Sequence, residues 1–175
     1  KRHGFRKPEN IFNLFEEGFF ENTREKKLVQ IEKNLSLETV DSIEGETGLT
    51  NVFNYLDTFI ENKGRFLGVV TNVDQNLEVL TKTGEFVDVN WTEDLNWARP
   101  YINENRRGAR PRSFEDILNL GDLVWLVKNN ITKTITLTQV PEAQSALISI
   151  DPKLGSILAL VGGYDFYLSK FNRVE

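Results

Sequence analysis

The 175-residue sequence contains no cysteine, no methionine and one histidine, His3. Without cysteine there is no disulfide, no thiol nucleophile and no thiolate-held zinc. A lone imidazole is too little for a histidine metal site or a nucleophile–histidine relay, so His3 reads as solvated or structural. No apolar run approaches the ~20 residues of a membrane span, and no stretch of the sequence reads as a signal peptide. The phosphate-cradling patterns G-x-x-x-x-G-K and G-x-G-x-x-G are missing, and Gly162-Gly163 reads as a backbone bend after a strand. Without methionine there is no initiator residue, and KRHGFRKPEN looks like mid-protein sequence. Both ends lead us to expect an excised piece.

What is present suffices for a core. Hydrophobic residues make up 39% of the chain, and a globular domain of this size buries roughly 70% of its unfolded surface. The net charge of −5 hides segregation. Residues 9–62 carry twelve acids against four bases, whereas residues 98–112 carry five arginines and one acid. An acidic half disfavours nucleic acid as a partner, while a local arginine loop keeps that option open.

Apolar spacing predicts a helix through Ile11, Phe12, Leu14, Phe15 and Phe19. Asn22 with Glu25 forms a capping pair for a second helix, with Leu28, Ile31 and Leu35 on one face. A polar loop over 36–48 precedes a third helix from about Thr50, lined by Phe53, Leu56, Phe59 and Ile60, with Gly64 as its C-terminal cap. Period-two, β-prone stretches then predict strands at 65–73, 77–82 and 85–91. Asp74-Gln75-Asn76 and Thr83-Gly84 supply the turns. A loop of about twenty residues leads to a short helix opened by Ser113 and Asp116. Strands at 123–128 and 131–138 follow, around an Asn129-Asn130 turn. Val140-Pro141-Glu142 links to a hairpin that turns at 151–155 and returns through Ile157–Val161.

The fold class is therefore α+β and β-rich: a five-stranded OB-like Greek-key barrel with a helical N-terminal segment and a C-terminal β-hairpin. An SH3-like barrel is the alternative. The expected divisions are a linker and helical segment over 1–63, the barrel over 64–140, and a further segment over 141–175.

The ending ALISIDPKLGSILALVGGYDFYLSKFNR is similar to the entry into the transpeptidase domain of class A penicillin-binding proteins. That family pattern is an apolar strand, D-P-x-x-G, a second strand ending in V-G-G, an aromatic-Asp-aromatic group and F-N-R. The opening KRHGFRKPEN, NWARPY at 96–101, RPRSFEDIL and GDLVWL resemble the 1A subtype and its inserted OB-like domain. The resemblance is weakest over about 13–63. Val174 and Glu175 depart from the Ala-Thr usual after F-N-R. The family's S-x-x-K nucleophile follows this region, and none of Ser145, Ser149, Ser156 or Ser169 has Lys at the third position after it.

The resemblance implies a non-catalytic docking or regulatory module from a periplasmic enzyme anchored in the inner membrane of a Gram-negative bacterium. The parent would polymerise and cross-link peptidoglycan, and its remaining domains would be this segment's neighbours. An outer-membrane lipoprotein activator is a possible partner. A single-stranded nucleic-acid-binding OB domain is the alternative. No catalytic, cofactor or metal residue is expected in the chain.

Lys82-Thr83-Gly84 spells a K-T-G of penicillin-recognising enzymes, but it lacks an upstream partner and reads as a turn. Glu16-Glu17 and Glu93-Asp94 are adjacent in sequence, so neither pair converges on one helix face, and both read as surface. Trp91, Trp97 and Trp125 are expected to pack in the core or rim, with a stacking platform as the other possibility. Arg106, Arg107, Arg110 and Arg112 are the candidate docking residues. They are suited to a carboxylate, phosphate or acidic partner, or else are neutralised by the acidic helical half.

Overall fold

The structure, a computed structural model, describes residues 4–37, 48–61, 64–74, 76–140 and 145–163. His3, most of the polar loop, the Pro141-Glu142 link and the YDF and FNR groups lie outside the described residues. So do the side chains of Leu35, Glu93 and Asp94. The chain divides into two compact units, Lys1–Gln139 and Val140–Glu175.

Helix α1 spans Arg24–Leu37 and α2 spans Gly48–Asp57. Strands β1 (Arg65–Asn72), β2 (Leu77–Thr81) and β3 (Phe86–Val89) form a meander. A short ribbon of β4 (Tyr101–Asn103) and β5 (Arg106–Arg107) interrupts the barrel strands, which resume as β6 (Leu123–Lys128) and β7 (Ile135–Thr138). The five-stranded antiparallel sheet runs β3-β2-β1-β6-β7. It curls until its edges, β3 and β7, touch. This order and curl are those of an OB-like half-barrel.

Alternation along the strands builds two cores. Val70, Leu77, Val79, Val89, Val124, Leu126 and Leu137 fill the concave face. Leu95, Ala98, Phe114 and Leu118 cap them from the connecting loop. Leu67, Val69, Leu80 and Leu123 point the other way and meet Ile11, Phe15, Phe19, Ile31, Leu49, Val52 and Leu56. β1 is thus covered on both faces, which is why its sequence, FLGVV, is a continuous apolar run. Each fully buried Val or Leu contributes about 1.5–3 kcal/mol.

Five expectations are corrected. Residues 11–19 do not form an α-helix. They make a 3-10 turn at Phe12–Leu14, and Gly18, at φ +79°, turns the chain left-handed. A cluster of Phe12, Phe15, Phe19 and Phe20 rings results. On α1, Lys27 and Ile31 are buried while Leu28 is exposed, so the inner face is rotated from the expected one. The last barrel strand begins at Ile135 because Asn129 Oδ1 accepts from the amides of Ile131 and Thr132, widening the turn. The positive φ falls on Lys133.

The expected helix after Ser113 is a single 3-10 turn, Phe114–Asp116, closed by a capping box between Ser113 and Asp116. Helix α2 ends at Asp57, so Gly64, also at positive φ, is the approach to β1 and not a helix cap.

The second unit holds β8 (Leu147–Ile150) and β9 (Ile157–Val161), paired antiparallel. Leu147, Ile148, Ile150, Ile157, Leu158, Leu160 and Val161 are all exposed.

Candidate partner-docking surface

The four candidate arginines lie in the connection between β3 and β6. Arg106 and Arg107 form β5, which pairs back on β4 through Tyr101↔Arg107 and Asn103↔Arg106. The ribbon is pinned at its base. Gly108 N donates to the Pro100 carbonyl at 2.7 Å, and Arg99 Nε donates to the Gly108 carbonyl at 2.7 Å. The N-terminal strap supports its other side. Phe5 N donates to the Arg99 carbonyl at 2.6 Å and Tyr101 N to the Phe5 carbonyl at 2.9 Å. The Arg6 guanidinium lies 3.2 Å from the centre of the Tyr101 ring.

Below the ribbon, Pro100, Ala109, Arg110, Pro111, Arg112 and Asp116 line a cleft of about 410 Å³. Pro111 is buried, whereas Arg106, Arg110 and Arg112 are exposed. Asp116 is held from below: its Oδ2 accepts from Arg112 N at 2.7 Å and Ser113 N at 3.4 Å. In the sequence Asp116 reads only as the capping partner of Ser113 and the prolines have no part in the site, although Arg-Pro recurs at 99–100 and 110–111. That repeat places each proline of the cleft beside an arginine.

The arginines of the cluster differ from the charged groups of the helical half in their pairing. Among the described residues, no carboxylate pairs with the guanidinium of Arg106, Arg110 or Arg112. Three acids of the 9–61 stretch serve nearer partners. Glu9 accepts from Tyr55 Oη at 2.6 Å, Glu16 from Gly48 N at 3.3 Å and Glu61 from Leu67 N at 3.1 Å. The Glu9 carboxylate beside Tyr55 raises the phenol's pKa above its usual 10.0, chiefly through this hydrogen bond and secondarily through burial and charge.

The helices instead meet the β1–β2 hairpin through a partly buried charge cluster. Lys27 Nζ donates to the Thr71 carbonyl at 3.2 Å and pairs with Glu78 at 3.4 Å. Thr71 Oγ1 donates to Glu78 Oε1 at 2.7 Å. Arg24 reaches Asp88 at 2.7 Å. Lys82 of the K-T-G triplet pairs with Glu61 at 3.7 Å, while Thr83 and Gly84 make the β2–β3 turn.

Each tryptophan packs against its own neighbours. Trp91 sits edge-on to Phe114 with ring centres 5.1 Å apart, and Trp97 edge-on to Phe5 at 5.8 Å. Trp125 packs in the outer core. Among the described residues, no group of three or more His, Cys, Asp or Glu is arranged to hold a metal ion. None of the described helices is long and apolar enough to cross a membrane.

The family described as the penicillin-binding protein OB-like domain matches residues 36–143, more than half of the chain. Penicillin-binding protein 1A of Pseudomonas aeruginosa is 41% identical over 106 residues, covering 60% of this chain and 13% of that protein. Penicillin-binding protein 1A of Escherichia coli is 46% identical over 81 residues, covering 46% of this chain and 9% of that protein. The Vibrio cholerae protein of the same name is 35% identical over 128 residues, covering 71% and 15%. The crystal structure of penicillin-binding protein 1A from Haemophilus influenzae superposes with a TM-score of 0.50 at 22% identity, over 77% of this chain and 18% of that one, and so shares the fold. The chain therefore spans a small part of each relative's length. It belongs to the penicillin-binding proteins of the 1A type and carries their OB-like domain.

Proposed function

We propose that this chain is a non-catalytic docking and regulatory module of a bifunctional, peptidoglycan-polymerising and cross-linking enzyme. The parent is anchored in the inner membrane and faces the periplasm. Residues 64–140 form the docking barrel, 1–63 its helical support, and 141–175 the start of the transpeptidase domain. The observation that carries this reading is the rigid ribbon and cleft bearing Arg106, Arg110 and Arg112 without carboxylate partners among the described residues. The outer face of β1 and β2, part of the surface on which OB folds take ligands, is covered by the helical segment, and the barrel interior is filled by the chain's own side chains. Recognition is thereby directed to the outer loops. A protein partner meets such a surface through pinned backbone and charge complementarity. An outer-membrane lipoprotein activator is the partner class implied by the family.

The test has two arms. The chain is used to capture proteins from a Gram-negative envelope extract, and the parent enzyme is assayed for cross-linking with and without residues 64–140. Specific capture of an outer-membrane lipoprotein, with loss of its stimulation in the deleted enzyme, is expected. No lipoprotein captured and unchanged cross-linking would remove the docking role.

A further inference from the structure

We propose that the cleft between Pro100 and Pro111 receives an acidic, extended segment of a protein partner, with a Glu or Asp carboxylate seated between the Arg110 and Arg112 guanidiniums. This deepens the docking reading above and rests on it.

Three features converge on a carboxylate. The first is charge: residues 98–112 hold five arginines and one acid, and Arg110 and Arg112 both line the cleft. Guanidinium forks match a carboxylate in plane and spacing, and such charge-assisted bonds are about twice as strong as neutral ones. The second is that Asp116, the carboxylate lining the same cleft, is committed to the backbone amides of Arg112 and Ser113. It braces the loop that carries Arg112 and leaves the guanidinium to an incoming anion. The third is the floor. Pro100, Ala109 and Pro111 offer apolar surface to the methylene stem of a glutamate, beside the charges that take its head.

The site is also preorganised. The Gly108–Pro100 and Arg99–Gly108 hydrogen bonds tie the two walls together. Proline rings fix φ on both sides. Little conformational freedom remains to be lost on binding, so more of the contact energy appears as affinity.

The chemistry favours an acidic peptide over single-stranded nucleic acid. No aromatic residue is among the described residues that line the cleft, and base stacking is what holds strands on OB folds. The net charge of −5 repels a long polyanion, whereas a short acidic segment senses mainly charges within a Debye length, about 8 Å.

A fluorescein-labelled hexaglutamate peptide is titrated with the whole chain at low and at physiological salt, read by anisotropy. Saturable binding is expected, weakened about tenfold or more by R110E/R112E. The pair K128E/K133E makes the same charge change at exposed lysines near the β6–β7 turn and is expected to leave binding within about twofold. R110Q/R112Q serves as a milder second pair, and each variant's thermal midpoint reports folding. The proposal is overturned if no peptide binds at low salt, if both reversal pairs weaken binding equally, or if an octathymidylate or an anionic vesicle displaces the peptide. Capture of the envelope partner separates this proposal from the reading beneath it. Full capture by R110E/R112E would sink the cleft and leave docking intact. Absence of capture by the unaltered chain would sink docking.

Discussion

Asn10 Nδ2 donates to Asp122 Oδ1 at 2.7 Å, joining side chains 112 positions apart. The same amide group also donates to the Leu120 carbonyl at 2.8 Å, and Asp122 Oδ2 accepts from Asn119 N at 2.8 Å. Around them, Ile11 N bonds to the Gly121 carbonyl and Leu123 N to the Glu9 carbonyl. The N-terminal strap is thereby stitched to the entry of β6. Asp122 is fully buried, and removing its carboxylate leaves a buried gap and takes the acceptor from Asn10 Nδ2 and Asn119 N. Asp122→Ala is expected to cost about 2–4 kcal/mol in urea unfolding, and Asp122→Asn less, since one acceptor survives. A loss below about 0.5 kcal/mol for the alanine variant would show that the strap is not held by this residue.

Gly121 stands in the same stitch at φ +81°, and an added Cβ would lie 2.7 Å from Phe12 Cα. Backbone strain and a backbone clash combine there. Gly121→Ala is expected to destabilise by more than about 1 kcal/mol. Thermal unfolding of the single variant tests it, and an unchanged midpoint contradicts the close approach.

Lys27 is buried beside Glu78, with Thr71 between them. Removing one member of such a pair leaves the other uncompensated, whereas a same-sized apolar residue avoids one desolvation cost. Lys27→Ala is expected to lose about 3 kcal/mol, and the double variant Lys27→Met with Glu78→Gln about 1 kcal/mol or less. A double variant as unstable as the alanine variant would place the stability in the ion pair itself.

Tyr55 gives a pH dependence of known sign. Its phenol donates to Glu9, and its folded pKa lies above the usual 10.0. The unfolded chain therefore loses this proton first as pH rises. The stabilisation is complete below about pH 9, declines above the unfolded value and is gone above the folded one. Between about pH 9 and pH 11, stability of the parent chain should fall more steeply than that of Tyr55→Phe. Equal slopes in urea unfolding would mean that the hydrogen bond does not persist in solution.

The five-stranded sheet and the β8–β9 hairpin should also exchange amide hydrogens differently. β1 is covered on both faces, whereas the β8–β9 hairpin exposes its apolar residues, and a lone two-stranded hairpin is marginal in water. Amides of Val69 and Val70 are expected to exchange at the slow, global rate, and those of Leu158 and Leu160 orders of magnitude faster in dilute solution. Equal protection of the hairpin, rising with concentration, would signal pairing between copies through its edges.

Much of this was legible in the sequence. The five barrel strands appear at or within a few residues of their predicted places, because period-two apolar patterning and the Gly and Asn turns are local signals. The closing V-G-G and F-N-R groups and the NWARPY stretch pointed to the right family. Arg106, Arg107, Arg110 and Arg112 were visible as a cluster, but Pro100, Pro111 and Asp116 were not seen as its cleft. What the sequence alone determined was the order of strands, the turns between them and the segregation of charge, each set by neighbours along the chain. Tertiary structure decided the rest. It broke the 11–19 helix into a phenylalanine cluster, buried Lys27 where Leu28 was expected, and left Arg106, Arg110 and Arg112 without acidic partners among the described residues. Those outcomes depend on which surface covers the outer face of β1 and on contacts more than a hundred residues apart, such as Asn10 with Asp122. Periodicity specifies that a face is apolar; only packing selects the element that covers it.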